Sequence, residues 1–341
     1  MTAQPLEQPL VSVVILTWNS KDLLPRAVES VCAQTYERVE IIVVDNASTD
    51  GTAELARSYD QVATTLLLDE NTGFARGMNA GYDASRGDIC VLMNCDAVLR
   101  PDVARRAVDL FARHPDVGVI GANIWLLDRA AHDWRFWDRD RDAVAALPFD
   151  GGVVALDRLL HVRGLKTRAP WQVSFKANGA CPIVRRVTIE DVRERFGAAP
   201  FDPVFDTYGE DVDFAFKTWT LGWRTMFSAD LVVGHVRSYA SELDMWDKRG
   251  RLRVNLIAER YINAARYLPP AQLLAVLTVA FATDVAAATR QRRKGDRAAS
   301  ADLRTALTRI LRLRPGLLRF RRRHQPWRRI DFRRVVYLDK E

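Results

Sequence analysis

The sequence predicts an α/β chain whose central sheet is mostly parallel and carries helices on both faces. The runs 11–17 (VSVVILT), 39–44 and 89–93 are almost continuously apolar, with Ser12 and Glu40 as interruptions, and carry β-branched residues, as strands covered on both sides do. They alternate with stretches of 10 to 14 residues in which apolar positions recur at helical spacing. The 341 residues, 48% of them hydrophobic and 27% charged, are enough for one large or two modest folded units and exclude a disordered chain or a small disulfide scaffold.

The first strand, 11–17, leads into a helical pattern over 22–34 with Leu23, Ala27 and Val31 on one face. The cycle repeats with strand 39–44 and helix 50–59, strand 62–68 and helix 73–85, strand 89–93 and helix 102–114, and ends in strand 117–121. From 125 to 171 it dissolves into charged and aromatic stretches such as HDWRFWDRDRD, expected to form a long, partly ordered insertion that is either a solvated loop or part of an acceptor pocket. Order returns with VSFKANGACPIVRR (173–186), a helix over 188–196, a second helix on the spacing of Val212, Phe216 and Trp219, and a short strand, 231–233, before Gly234 and His235. Beyond residue 242 the chain reads as helical and increasingly basic, and no repeat of fixed period is present.

The formal net charge of +7 is unevenly distributed. Residues 290–341 hold 18 Lys and Arg against 5 Asp and Glu, a net of +13, which leaves −6 for residues 1–289. The four cysteines, Cys32, Cys90, Cys95 and Cys181, lack both a disulfide framework and a C-x-x-C spacing, so reduced thiols in a cytoplasmic protein are expected. The start, MTAQPLEQPL, has no basic and apolar leader pattern. Residues 271–289 are apolar but interrupted by Thr278, Thr283 and Asp284, which favours a packed or interfacial helix over a transmembrane one.

In parallel α/β sheets ligands bind beyond the carboxyl ends of the strands. There the chain places Thr17-Trp18-Asn19, Asp45-Asn46-Ala47-Ser48-Thr49-Asp50-Gly51 and Asn94-Cys95-Asp96. Asp45 suits a ring N–H of a base, or simply belongs to a polar turn. Asn94 and Asp96, two apart on an extended segment, offer oxygen ligands on one side to a hard divalent cation, which a diphosphate would share. Glu210, Asp211 and Asp213 open a helix, where one or two acids serve the helix terminus and another is a candidate general base. His235 is a structural residue or a ligand, depending on what converges on it.

The ordered set LTWNS, VVDNASTDGT, ENTGFARGMNAG, LMNCD, FDTYGEDVDF and VVGHVRS resembles the inverting family 2 glycosyltransferases over residues 11 to about 240, most nearly the branch of bacterial rhamnosyltransferases. That resemblance implies a GT-A fold, with a Rossmann-like nucleotide-sugar-binding half (1–124), an acceptor-binding half (125–240) and a helical, Arg-rich C-terminal region (241–341). It implies that Thr17, Asn19 and Asp45 surround the nucleoside and that Asn71, Gly73 and Asn79 belong to the loop and helix start over the ribose and diphosphate. Asp96 takes the place of the direct ligand in the family's Asp-x-Asp motif for Mg²⁺ or Mn²⁺, with Asn94 where the family has its first Asp, and His235 matches a further metal ligand. Asn178 and Gly179 line the sugar pocket, Asp211 is the catalytic base, and Glu210 and Asp213 position the acceptor or brace the helix.

The implied partners are a nucleoside-diphosphate sugar and a glycan or polyprenyl-diphosphate-linked acceptor. A sugar nucleotidyltransferase is a second reading, but TWNSKDLL replaces the Gly- and Arg-rich loop expected after its first strand. A nucleic-acid-binding protein acting through the tail is a third; no recognition motif accompanies the tail and the acidic body opposes a polyanion, so no nucleic acid is expected. Leu303, Leu307, Ile310 and Leu311 form one apolar face with Arg304, Arg309 and Arg312 around it, a pattern that suits an anionic membrane surface at the inner face of the cell membrane or packing on the catalytic domain. A homodimer through 242–289 is left open by the sequence.

Overall fold

The computed structural model describes residues 8–127, 149–236 with gaps at 152, 157–159, 161, 166–168, 198–199 and 206, and 246–330. The segment HDWRFWDRDRD, read above as part of an insertion, lies outside the described residues. The first half runs β1 (Val11–Thr17), α1 (Leu24–Cys32), β2 (Val39–Asp45), α2 (Thr52–Arg57), β3 (Thr64–Leu67), α3 (Phe74–Ala84), β4 (Ile89–Asn94), β5 (Ala97–Leu99), α4 (Val103–Arg113) and β6 (Val117–Leu126). It continues with β7 (Phe149–Gly151), β8 (Val153–Leu156), β9 (Val162–Leu165), β10 (Trp171–Val173), β11 (Ile183–Arg185), α5 (Arg186–Phe196), α6 (Glu210–Thr220) and β12 (Arg224–His235). Three helices follow: α7 (Arg251–Tyr267), α8 (Pro270–Arg293) and α9 (Ala299–His324).

Ten strands form one sheet in the order β10-β12-β6-β11-β4-β1-β2-β3, with β5 beside β12 and β7 beside β6. The pairs β1/β2, β1/β4, β2/β3 and β6/β12 are parallel. The expectation of a mostly parallel sheet therefore holds on the β4-β1-β2-β3 side, whereas β11 enters antiparallel between β4 and β6 and makes the whole sheet mixed. Within the partly ordered insertion beyond Trp125, β8 and β9 pair with each other and β10 with β12. One further expectation is corrected. The last strand is 12 residues long rather than three, because a register shift between Ser228 and Val232 carries the polar Ser228-Ala229-Asp230 stretch through it.

Register decides where the site lies. Thr17 pairs with Asp45, Asp45 with Leu67 and Leu16 with Asn94, so four carboxyl ends finish in one row. One face of the sheet is covered by α1, α2 and α4, which share a core with Val11, Val13, Ile15 and Val91. On the other, α3 contributes Ala75, Met78 and Tyr82 to a core with Val14, Ile42 and Val44. α3 approaches closely because it presents glycine: a Cβ on Gly81 would stand 2.3 Å from Val14 Cγ1 and 2.7 Å from Val44 Cγ2.

Gly81→Ala is expected to destabilise the fold by ~1–3 kcal/mol through overpacking, despite the better helix propensity of alanine. Urea unfolding reads this directly, and an unchanged or raised midpoint would show that the helix and sheet can separate without cost.

Candidate active site

Where β1 and β2 end in the row, Thr17 and Asp45 are almost fully buried, and Asp45 Oδ1 has no hydrogen-bond partner while Oδ2 accepts from the Ser48 amide at 2.9 Å. Asn19 sits at a φ of 47°, a left-handed position that asparagine tolerates. Its side-chain oxygen accepts from the Thr49 amide at 2.8 Å, and its own amide donates to Ser48 Oγ at 2.8 Å. Asn19 therefore joins the loops after β1 and β2.

Asn46, not singled out in the sequence, holds the next loop. Its amide nitrogen donates to Asn71 Oδ1 and to the Gly73 carbonyl, each at 3.2 Å, and its oxygen accepts from the Thr72 amide at 2.9 Å. Gly73, at a φ of 82°, turns the chain into α3, whose first turn has neither an acidic residue nor a side-chain cap. Uncapped amides at such a terminus favour an anion. Asn79 departs from the expectation: its amide donates to the Phe201 carbonyl at 2.7 Å and its oxygen accepts from the Phe201 amide at 3.0 Å. Both functional ends of that side chain are used in tying α3 to the chain before α6.

β4 does not extend through Asp96 as the spacing argument assumed; Cys95 and Asp96 form a turn into β5. That turn brings Asp96 beside the end of β12, where His235 pairs with Ala97. His235 Nε2 stands 3.2 Å from Asp96 Oδ1. Asp96 Oδ1, His235 Nδ1 and Asn94 Oδ1 are all enclosed without a hydrogen-bond partner. Among the described residues no group of three or more His, Cys, Asp and Glu side chains converges as a complete metal cage. The adjacent Asp96 carboxylate and His235 imidazole still fit two ligands of a divalent cation completed by a diphosphate.

The third part is the mouth of α6. Gly209, at a φ of 87°, precedes Glu210 and Asp211. Asp211 Oδ1 accepts from the Val212 amide at 2.8 Å, and Oδ2 pairs with Lys176 Nζ. A Cβ on Gly179 would lie 3.1 Å from Asp211 Oδ2, so the Asn178-Gly179 loop, held by Asn178 Oδ1 accepting from the Ala180 amide at 3.0 Å, lies against the same carboxylate. Lys176 was not singled out from sequence; its one signal was its place two residues before Asn178.

Asp213 is fully buried. It accepts from Arg266 Nη1 and the Tyr267 hydroxyl, each at 2.7 Å, and pairs with Lys217 at 2.7 Å. Of the two roles considered for it, positioning an acceptor is therefore corrected to bracing the helix. Glu210 remains beside the site with Oε2 enclosed and unpartnered, and α7 adds Glu259, whose Oε2 is likewise enclosed and stands 2.4 Å from where a Cβ on Gly209 would be. Burial, and then the neighbouring Asp211 carboxylate, pushes Glu210 and Glu259 each up to about 8.

Two measurements follow. Asp213→Ala leaves Lys217 and Arg266 without their buried counter-ion and is expected to cost ~3–5 kcal/mol in urea unfolding; a loss under about 0.5 kcal/mol would return the residue to an exposed role. The raised carboxyls are neutral in the folded chain where the unfolded chain ionises them. Their contribution is therefore complete below the unfolded value and is lost as pH rises toward about 8. Glu259→Gln should thus gain melting temperature over wild type as pH is raised from about 5 to about 8, and a gap that stays constant would contradict the burial.

Comparison with known proteins places this geometry. The profile described as "Glycosyl transferase family 2" matches residues 12–162, and that described as "Glycosyl transferase family group 2" matches residues 89–295, more than half of the chain. The succinoglycan biosynthesis protein ExoO of Rhizobium meliloti is 37% identical over 102 residues, 30% of this chain and 29% of that protein. The undecaprenyl-phosphate 4-deoxy-4-formamido-L-arabinose transferase of Pseudomonas aeruginosa is 32% identical over 142 residues, 39% of this chain and 40% of that protein. The match thus spans about a third of the curated relatives' length. Among solved structures, a mannosyltransferase from Pyrobaculum calidifontis, in complex with GDP-Man and Mn²⁺, superposes with a TM-score of 0.53 at 21% identity, covering 100% of this chain and 90% of that one. With the sheet, the row of strand ends and the family profiles in agreement, the chain belongs to glycosyltransferase family 2 and has the GT-A fold.

Proposed function

We propose that the protein is a metal-dependent inverting enzyme that moves a sugar from a nucleoside-diphosphate donor to a glycan or polyprenyl-diphosphate-linked saccharide in cell-wall or surface polysaccharide synthesis, with rhamnose the first sugar to test. The observation that carries this reading is the position of Asp211: it opens α6, against Lys176 and the Asn178-Gly179 loop, as the candidate base beside a row of nucleotide-facing strand ends. The names of ExoO and the arabinose transferase support polymer or lipid-linked chemistry.

In this mechanism the buried Asp45 Oδ1 accepts from the base, and the uncapped start of α3 receives the diphosphate. Asp96 and His235 would hold Mg²⁺ or Mn²⁺, which when bound neutralises charge on the leaving diphosphate. Asp211 Oδ2 takes the acceptor hydroxyl's proton as its oxygen attacks the anomeric carbon from the side opposite the leaving group, so the configuration inverts. The new bond joins acceptor oxygen to anomeric carbon as the bond from that carbon to the diphosphate oxygen breaks. Lys176, paired with Asp211 before substrate enters, holds the carboxylate aimed. The site opens to the cytoplasmic side of the membrane in this reading, with the enzyme attached peripherally.

A panel of dTDP-rhamnose, UDP-sugars and GDP-sugars, assayed for donor hydrolysis and transfer with and without Mn²⁺, tests the reading. Asp211→Asn is expected to lower transfer by ~10²–10⁴-fold with donor binding retained, and a variant keeping more than about a tenth of wild-type turnover would remove Asp211 as the base.

A further inference from the structure

Most of the tail face expected to meet a membrane is occupied, with Leu311, 68% exposed, left outside the packing. Leu303 and Ala306 are buried, and Leu307 and Ile310 pack with them against Ile257, Ala258 and Tyr261 of α7. Arg309 donates to Asn255 Oδ1 and to the Val204 carbonyl, each at 2.7 Å. The exposed apolar face belongs instead to α8. Leu274 is 70% exposed, Phe281 48%, Val279 43% and Val285 41%. Leu274, Thr278, Phe281 and Val285 follow helical spacing along one side, and no exposed residue from 271 to 289 is charged. The one acid in that stretch, Asp284, is on the inner side, where its carboxylate accepts from Arg260 Nη2 and the Tyr261 hydroxyl. The helix thus buries Val276, Ala280 and Ala288 with that one paired acid, and leaves an uncharged side carrying Leu274, Val279, Phe281 and Val285 to the surroundings, where a surface helix in water would carry charge.

The charge around that face identifies its occupant. Arg290, Arg292, Arg293 and Lys294 follow it directly, all exposed. An apolar strip ending in a basic cluster is complementary to a bilayer with anionic headgroups, each cation near such a surface adding ~1 kcal/mol. α8 has the length and hydropathy to cross a membrane. Crossing would strip away the contacts of Asp284 with α7, whereas lying along the surface keeps them.

We propose that the outer face of α8 seats the protein on an anionic lipid bilayer. The seat lies one helix from the candidate base. Glu259 of α7 reaches Gly209 at the mouth of α6, while its neighbours Arg260 and Tyr261 hold Asp284 of α8. A helix is ~10–12 Å across, so the acceptor site sits close to the lipid surface, as a lipid-linked acceptor requires. The seat deepens the glycosyl-transfer reading and rests on it only for its purpose.

Flotation of the full chain with phosphatidylcholine vesicles, with and without about 30% phosphatidylglycerol, tests the seat. Wild type is expected to float with the anionic vesicles, and Phe281→Glu with Val285→Glu to lose about tenfold or more in bound fraction at unchanged melting temperature. Arg290→Gln, Arg292→Gln and Arg293→Gln together should weaken binding to anionic vesicles while leaving the apolar face intact. Wild type that stays at the bottom of the gradient overturns the proposal, as does a double glutamate variant that floats equally well. A glutamate variant that turns a sedimenting dimer into a monomer, with no vesicle binding by wild type, assigns the face to a second copy instead. Donor hydrolysis separates the two readings: active protein that does not float sinks the seat and leaves glycosyl transfer standing, and floating protein without hydrolysis does the reverse.

Discussion

The buried carboxylate of Asp213 is the interaction on which the arrangement of the site depends. One side chain, enclosed completely, holds Lys217 on its own helix and Arg266 and Tyr267 on α7. Arg266 also reaches Asp202 at 2.9 Å, so the loop before α6 is tied to the same centre. Charges removed from water are costly unless each is paired, and this group is stable only as a set. Asp211 lies two residues from the hub, and its direction at the mouth of α6 is inherited from it. α7 is consequently part of the catalytic body in physical terms, although the sequence motifs end before it.

A second constraint operates at the other end of the row of strand ends. Parallel pairing from β4 to β3 brings Thr17, Asp45 and Asn94 to one edge, but loops leaving parallel strands do not bond to one another of their own accord. Asn19 and Asn46 supply those bonds, Asn46 by a side chain that both donates and accepts and Asn19 by a side-chain oxygen that accepts and a backbone amide that donates. Preorganised loops of this kind leave one oxygen of the buried Asp45 carboxylate and the start of α3 unpartnered without further ordering cost on binding.

The strongest elements were legible because one physical signal dominated each. β1, β2 and β4 are mainly apolar runs buried on both faces, and α3 was read to within about a residue at each end from apolar positions at helical spacing. The strands β5, β7 and β10 span three residues each, too short to show a period, and β12 was under-read where Ser228, Ala229 and Asp230 interrupt its apolar run. For the site, residue type located the carboxylates but not their direction. Asp211 and Asp213 stand two apart on a helix and so point to different sides; which side faces the cleft depends on α7, and nothing within the motif encodes that. Lys176 and Glu259 were missed for the same reason, since each matters only through what it touches.

The positive charge of the C-terminal region also changes meaning once its partners are known. Part of it is structural: Arg321 donates to the carbonyls of Ala265 and Leu268 at the end of α7, and Arg309 holds Asn255 and the Val204 carbonyl. These arginines lock α9 to α7 and are unavailable to any outside anion. Arg290, Arg292, Arg293 and Lys294, by contrast, are exposed at the end of an uncharged face. A polyanion such as nucleic acid would draw on the cations alone and has no use for Leu274, Phe281 and Val285, whereas a lipid surface uses both. It is the pairing of exposed charge with exposed apolar area, rather than the net of +13, that distinguishes the two.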